Sequence, residues 1–152
     1  MKRMDAITLE VMRNRLFAIT EEMGAALIRT AYSTNIKDRR DSSCALFTVD
    51  GDTIAQAEHI PVHSGVLPWG VKGALGHVKL SELRPGDAIM HNDPFIGGTH
   101  LPDIIIFSPI FYKDKLVAFV GNLAHHIDVG GKVPGSLSPD ATEIFHEGLR
   151  LP

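Results

Sequence analysis

The chain has 152 residues, 44% hydrophobic and 22% charged, with a net charge of −3, which suits one soluble globular domain with a real core. That charge offers no basic face for nucleic acid, and no apolar run reaches the length of a membrane span. The single cysteine, Cys44, excludes an internal disulfide and a multi-cysteine zinc site; the opening MKRMDAITLE lacks a signal peptide's apolar core, so the expected address is the cytoplasm.

Residues 6–32 carry the strongest helical period, with Leu9, Met12, Leu16, Ile19, Met23 and Ala26 recurring in steps of three and four. Asp5 is the expected N-cap, with Thr8 as its rival. That stripe needs a cover: this domain's own sheet, the rest of a larger protein, or a second copy of the chain. Residues 34–41 read as a polar link. Arg39 and Arg40 in it are either solvated charges or holders of an anionic group. Cys44–Val49 and Thr53–Ala57 flank Asp50-Gly51, the signature of a type I′ hairpin. His59 and His63 follow, separated by Pro61, which argues against one helix carrying both. They read as loop residues or as further groups near a site. Leu67–Val78 is the expected second helix, with Pro68 in its first turn and Trp69 as a packing anchor. Ala88–His91 reads as a short strand, and Asn92–Thr99 as a glycine-bearing loop without a Walker or dinucleotide spacing. A short helix over 140–145, capped by Ser138, is expected near the end.

The stretch 92–131 organises the rest. Ile104–Phe111 and Leu116–Val120 flank Lys113-Asp114-Lys115, apolar runs around a polar turn, which read as a β-hairpin. Pairing Tyr112 with Lys115 or Leu116 sets Asp103 opposite Ala124 or His125. His100, Asp103 and His125 then meet at one end of the hairpin. Two imidazoles and a carboxylate with open positions are the ligand set of a catalytic divalent metal. The bland alternative is a group of ordinary polar residues at a strand end. His126 points to the other face if the strand persists, and Asp93 or Asp128 is the expected orienting group behind a ligand. The fold class is α+β: a long N-terminal helix and a second helix packed on a mostly antiparallel sheet built from two hairpins, all within one domain, 1–152.

The stretches NIKDRRDSSCALF, HIPVHSG, NDPFIGGTHLPD, LVAFVGNLAHHIDVGG and PDATEIFHEGLRLP resemble the N-terminal part of the hydantoinase B/oxoprolinase family, from about Ile7 to the last residue. The resemblance implies ATP-dependent opening of cyclic amides such as hydantoins or 5-oxoproline, or carboxylation of ketones, together with a hydantoinase A-type partner that handles ATP. It implies a divalent metal (Zn, Mn or Fe) on His100, Asp103 and His125, the set the hairpin count reached separately. His126 or His63 is the candidate proton shuttle, and Arg39 or Arg40 the candidate holder of an anionic intermediate. Members of that family are several times longer. This chain therefore reads as a portion that works with the remainder of the B subunit, or as a non-catalytic assembly or metal-binding module.

Overall fold

The computed structural model describes residues 5–57 and 60–152. Its core is a five-stranded antiparallel sheet in the order β2-β1-β5-β4-β3. The strands are β1 (Ser42–Phe47), β2 (Thr53–Ala57), β3 (Ile89–His91), β4 (Asp103–Tyr112) and β5 (Lys115–His125). Helices α1 (Ala6–Thr30) and α3 (Pro61–Leu75) cover opposite faces, and α2 (Thr34–Lys37) is a single turn between α1 and β1. Successive strand residues point to opposite faces. Ala45, Phe47, Ile105, Phe107, Phe119 and Leu123 therefore share one face, where Leu67, Val71 and Ala74 of α3 seal the core. Cys44 lies on the other face, beneath Met23 and Leu27 of α1. Burial in that apolar layer pushes its thiol up to about 11, so Cys44 packs as a small hydrophobe. No helix among the described residues is long and apolar enough to cross a membrane.

Asp5 does cap α1: its carboxylate accepts from the Thr8 backbone N–H at 2.9 Å and from the Thr8 hydroxyl at 2.7 Å. The expected stripe is not the buried face. Thr20 and Gly24 are buried, while Leu9 is 57% and Met12 46% exposed. Small residues let the helix backbone approach the sheet closely, and β1–β2 is long enough to meet only the C-terminal part of α1. The first ten residues of the helix, about 15 Å of its length, are exposed throughout.

Four further expectations change for local reasons. The β1–β2 turn is not type I′. The strand stops at Phe47, and only Gly51 takes a positive φ, +81°, in a loop closed by Thr48 N–H to the Asp52 carbonyl at 2.8 Å. Helix α3 begins at Pro61 rather than near Leu67. Proline at the first helical position costs no hydrogen bond there, so Pro61 starts α3 and His63 falls in its first turn. Pro68 then falls inside the helix, and Trp69 is 73% exposed rather than packed in the core. The short helix expected over 140–145 is instead a 3₁₀ turn at Ile144–His146. The link at 34–41 is partly built in, with Asn35 and Ile36 of α2 buried.

The β4–β5 hairpin turns on Lys113 (φ +47°) and Asp114 (φ +61°), the two positive φ values of a type I′ turn, filled here by residues that pay for that conformation. Replacing the pair with Asn-Gly (K113N/D114G) is expected to raise stability by about 1 kcal/mol, measured as a higher denaturation midpoint at unchanged slope.

Candidate metal centre

The turn pairs Tyr112 with Lys115 and Phe111 with Leu116; carried on without interruption, that register would set Asp103 opposite Ala124. A bulge intervenes. Ile110 pairs with Ala118, Val117 is left over, and Asp103 meets His125. One residue of slip exchanges the faces of a strand. The bulge is thus what aims His125, and not Ala124, at Asp103.

Asp103 opens β4 on the α3 face and is buried. Its Oδ1 lies 2.8 Å from His125 Nδ1 and 3.3 Å from His100 Nε2. The two rings stand with centroids 4.9 Å apart. One ligand atom from each of His100, Asp103 and His125 can be chosen so that all three lie within 4.8 Å of one another. Both rings are partly exposed while the carboxylate is not, so the open side of the cluster is the side of the imidazoles. Burial by itself would raise the Asp103 pKa. Hydrogen bonds from His100, His125 and Thr99 outweigh it and hold the carboxyl well below the usual carboxylate range. The hydrogen bond to Asp103 in turn raises the His100 pKa against the effect of burial.

His63 stands behind this set, 2% exposed. It is the third residue of α3, and its Nε2 is 3.5 Å from Asp41 Oδ1 and 4.0 Å from Asp103 Oδ2. Its Nδ1 is buried without a hydrogen-bond partner. Burial lowers its pKa despite the two carboxylates, which favours the neutral ring. His59 lies outside the described residues. His126 is brought near the cluster in sequence but not in direction. It lines an apolar hollow of about 440 Å³ on the α1 face, with Ile104, Ile106 and Ala124. Burial, then the charge of His125, lowers its pKa. Arg39 and Arg40 are exposed, and neither has an ion pair with a described residue. Arg40 lines a groove against Glu21 and Arg29 of α1.

Neither expected orienting carboxylate reaches the cluster. Asp93 Oδ2 accepts from Arg150 Nε at 2.9 Å and Nη2 at 2.6 Å. Asp128 binds the backbone N–H groups of Gly130 and Gly135 and the Ser136 hydroxyl, bracing its own loop. Two residues without an expected role brace the surroundings of the site instead. Asp41 is pinned by its own backbone, N–H to the Asn35 carbonyl at 2.9 Å and carbonyl to the His125 N–H at 3.0 Å. Arg40, at φ +57°, makes the bend before it. Asn92 joins three segments around the site: its Nδ2 donates to the carbonyls of Leu101 and Leu149, both at 2.8 Å, and its Oδ1 accepts from Leu151 N–H at 2.7 Å. A carboxylate beside a strand start and an asparagine closing a strand were the signals available; both types occur too often in turns to single out alone.

The loop carrying His100 is held by backbone packing. A methyl group on Gly73 of α3 would lie 1.6 Å from the Ile96 carbonyl oxygen, and one on Gly97 would lie 2.5 Å from the Trp69 carbonyl oxygen. Helix and loop meet with no side chain between them, which is why α3 carries glycine there.

Residues 5–152 match the family model described as Hydantoinase B/oxoprolinase. An uncharacterised protein of Methanocaldococcus jannaschii is 52% identical over 98% of this chain and 27% of its own length. 5-Oxoprolinase 1 of Arabidopsis thaliana is 46% identical over 97% of this chain and 12% of its own. The crystal structure of an ATP-dependent caprolactamase from Pseudomonas jessenii superposes with a TM-score of 0.87 at 37% identity, covering 99% of this chain and 26% of that one. The chain thus spans about a quarter or less of the length of these proteins. With its fold and its sequence matched from end to end, it belongs to the hydantoinase B/oxoprolinase family.

Proposed function

We propose that this chain supplies the metal-binding portion of the B component of an ATP-dependent enzyme that opens cyclic amides, working in the cytoplasm with the remainder of a B-type chain and an A-type ATP-binding partner. The observation that supports this reading most is the convergence of His100 Nε2, Asp103 Oδ1 and His125 Nδ1 on one partly open spot. The printed activities of the relatives, 5-oxoprolinase and ATP-dependent caprolactamase, both concern ring amides. The donor set fits a divalent cation: two imidazoles and one carboxylate suit Zn²⁺, Mn²⁺ or Fe²⁺. When bound, such an ion would polarise a substrate carbonyl or lower the pKa of a water.

The chain's own residues prepare that site. Asp103 is already ionised, so it can serve as a ligand at neutral pH without further cost. Asp103 Oδ1 lies 2.8 Å from His125 Nδ1, and a bound ion would stand where those two atoms now meet. His100 must give up the proton that Asp103 stabilises. His63, neutral and set between Asp41 and Asp103, is the group placed to hold or pass a proton behind the ligands. Arg39 and Arg40 remain candidate contacts for an anionic intermediate, and His126 a candidate only for chemistry on the opposite face.

Isothermal titration with Zn²⁺, Mn²⁺ and Fe²⁺ tests the reading. One ion per chain is expected, with binding lost in His100→Ala and His125→Ala. Because the His100 pKa is raised, protons compete with the ion. Affinity is therefore expected to climb by up to about tenfold per pH unit up to that raised pKa and then level off. Retained binding in both variants would refute the assignment. A second reading, a metal-binding or assembly module without turnover, is favoured by the uncovered first ten residues of α1. Adding an A-type partner, the rest of a B-type chain and ATP to the loaded protein separates the two. Ring opening of 5-oxoproline, hydantoin or caprolactam supports the enzyme, and metal without turnover supports the module.

A further inference from the structure

Thr99 directly precedes His100, and its hydroxyl donates to Oδ2 of Asp103. The carboxylate is thereby divided. Oδ1 faces the two ring nitrogens, while Oδ2 has Thr99 and, at 4.0 Å, His63 Nε2. That last distance is too long for a hydrogen bond, so Thr99 is the one donor within hydrogen-bond reach of Oδ2 among the described residues. A carboxylate turns easily about its last torsion. Left free, it can offer a cation one oxygen or both.

We infer that Thr99 is a positioning residue: its hydroxyl holds Asp103 so that a bound ion receives Oδ1 alone. The inference rests on the metal reading above and concerns how that site is shaped. Two imidazoles and one carboxylate oxygen occupy three positions on the ion. A second carboxylate oxygen would take a fourth and close the opening that a four-coordinate catalytic ion keeps for substrate or water. The donor lies on the same short stretch as a ligand, so His100 and the brace on Asp103 are placed by one loop. Threonine supplies what the role needs, a hydroxyl on a branched carbon with little rotamer freedom.

The test compares Thr99→Val, which keeps shape and removes the hydroxyl, with Thr99→Ser, which keeps the hydroxyl. Zn²⁺ titration is expected to show affinity about 10- to 100-fold weaker in the valine variant and restored in the serine variant. The visible spectrum of the Co²⁺-loaded valine variant is expected to shift toward higher coordination number, a change that loss of packing alone would not cause. A crystal structure of the Mn²⁺-loaded wild-type chain should show one Asp103 oxygen on the ion and the other still on Thr99; it decides the matter if the valine variant fails to fold. Equal affinity in wild type and Thr99→Val, or both Asp103 oxygens on the ion, overturns the role of Thr99 and leaves the metal site standing. Absence of saturable binding by the wild-type chain removes the site and this role with it.

Discussion

Gly73→Ala is expected to cost about 3 kcal/mol, at the upper end of what overpacking does, and to lower the melting temperature by about 6–12 °C. The added methyl would stand 1.6 Å from the Ile96 carbonyl oxygen. The obstacle is backbone on both sides, so no rotamer change relieves it. Either α3 withdraws from the sheet and opens the core around Val71 and Ala74, or the loop over residues 93–98 lifts. The second route is the softer one, because the loop is short and irregular. It leads directly to Thr99 and His100, so the substitution is expected to weaken metal binding as well as stability. Thermal denaturation and Zn²⁺ titration on one preparation check both parts. Loss of stability at unchanged affinity would show that the helix gives way instead. Gly65, on the same helix, has nothing within 4 Å of its missing methyl. Gly65→Ala is the control and is expected to be neutral or slightly stabilising.

Asp103→Ala carries the second large effect, and it acts twice. In the metal-free chain the carboxylate neutralises His100 and accepts from His125 inside a buried pocket. Its removal is expected to cost about 3 kcal/mol, the low end for breaking a buried ion pair, because the His100 imidazole left behind can shed its proton. The pH dependence has a definite sign. The Asp103 pKa is depressed in the fold, so its contribution is fully present above the unfolded carboxyl value, about pH 4, and disappears as acid protonates the folded carboxyl. The His100 pKa is raised, so its share is present at low pH and is lost as pH rises through that raised value. The gap between wild type and variant should therefore be widest in the mildly acidic range and narrow on both sides. Denaturant titrations at several pH values measure it. The metal arm of the same variant should fall by at least about 100-fold, since a lost charged ligand outweighs the 10- to 100-fold typical of an orienting residue. A pH-independent gap, or full metal affinity, would contradict this account of Asp103.

How much of this was legible in the residues depends on the scale of the feature. The hairpin was readable because strand period and turn chemistry act locally. Counting from Lys113 brought Asp103 to within one residue of its partner. The last step was not readable, because the bulge that leaves Val117 over shifts the register by one residue, and the turn chemistry at Lys113-Asp114-Lys115 does not set it. The early start of α3 was missed for a related reason. A proline that breaks a running helix can equally open a new one, and the residues alone do not say which. The α1 stripe was the clearest period in the sequence, yet Thr20 and Gly24 face the sheet. There the closeness of two backbones outweighed apolar area. Of the cluster, the three ligand candidates stood out by residue type. Thr99, Asp41 and Asn92 act through single hydrogen bonds or backbone placement, which have no period and no composition to betray them.

The central claim is that His100, Asp103 and His125 share one divalent cation. Anomalous diffraction from crystals of the wild-type chain soaked in Mn²⁺ or Zn²⁺ tests it most directly. The account predicts a single strong peak within about 2.0–2.2 Å of His100 Nε2, Asp103 Oδ1 and His125 Nδ1. A saturating soak that leaves these three atoms without a peak, or that places the ion on other residues, would contradict it.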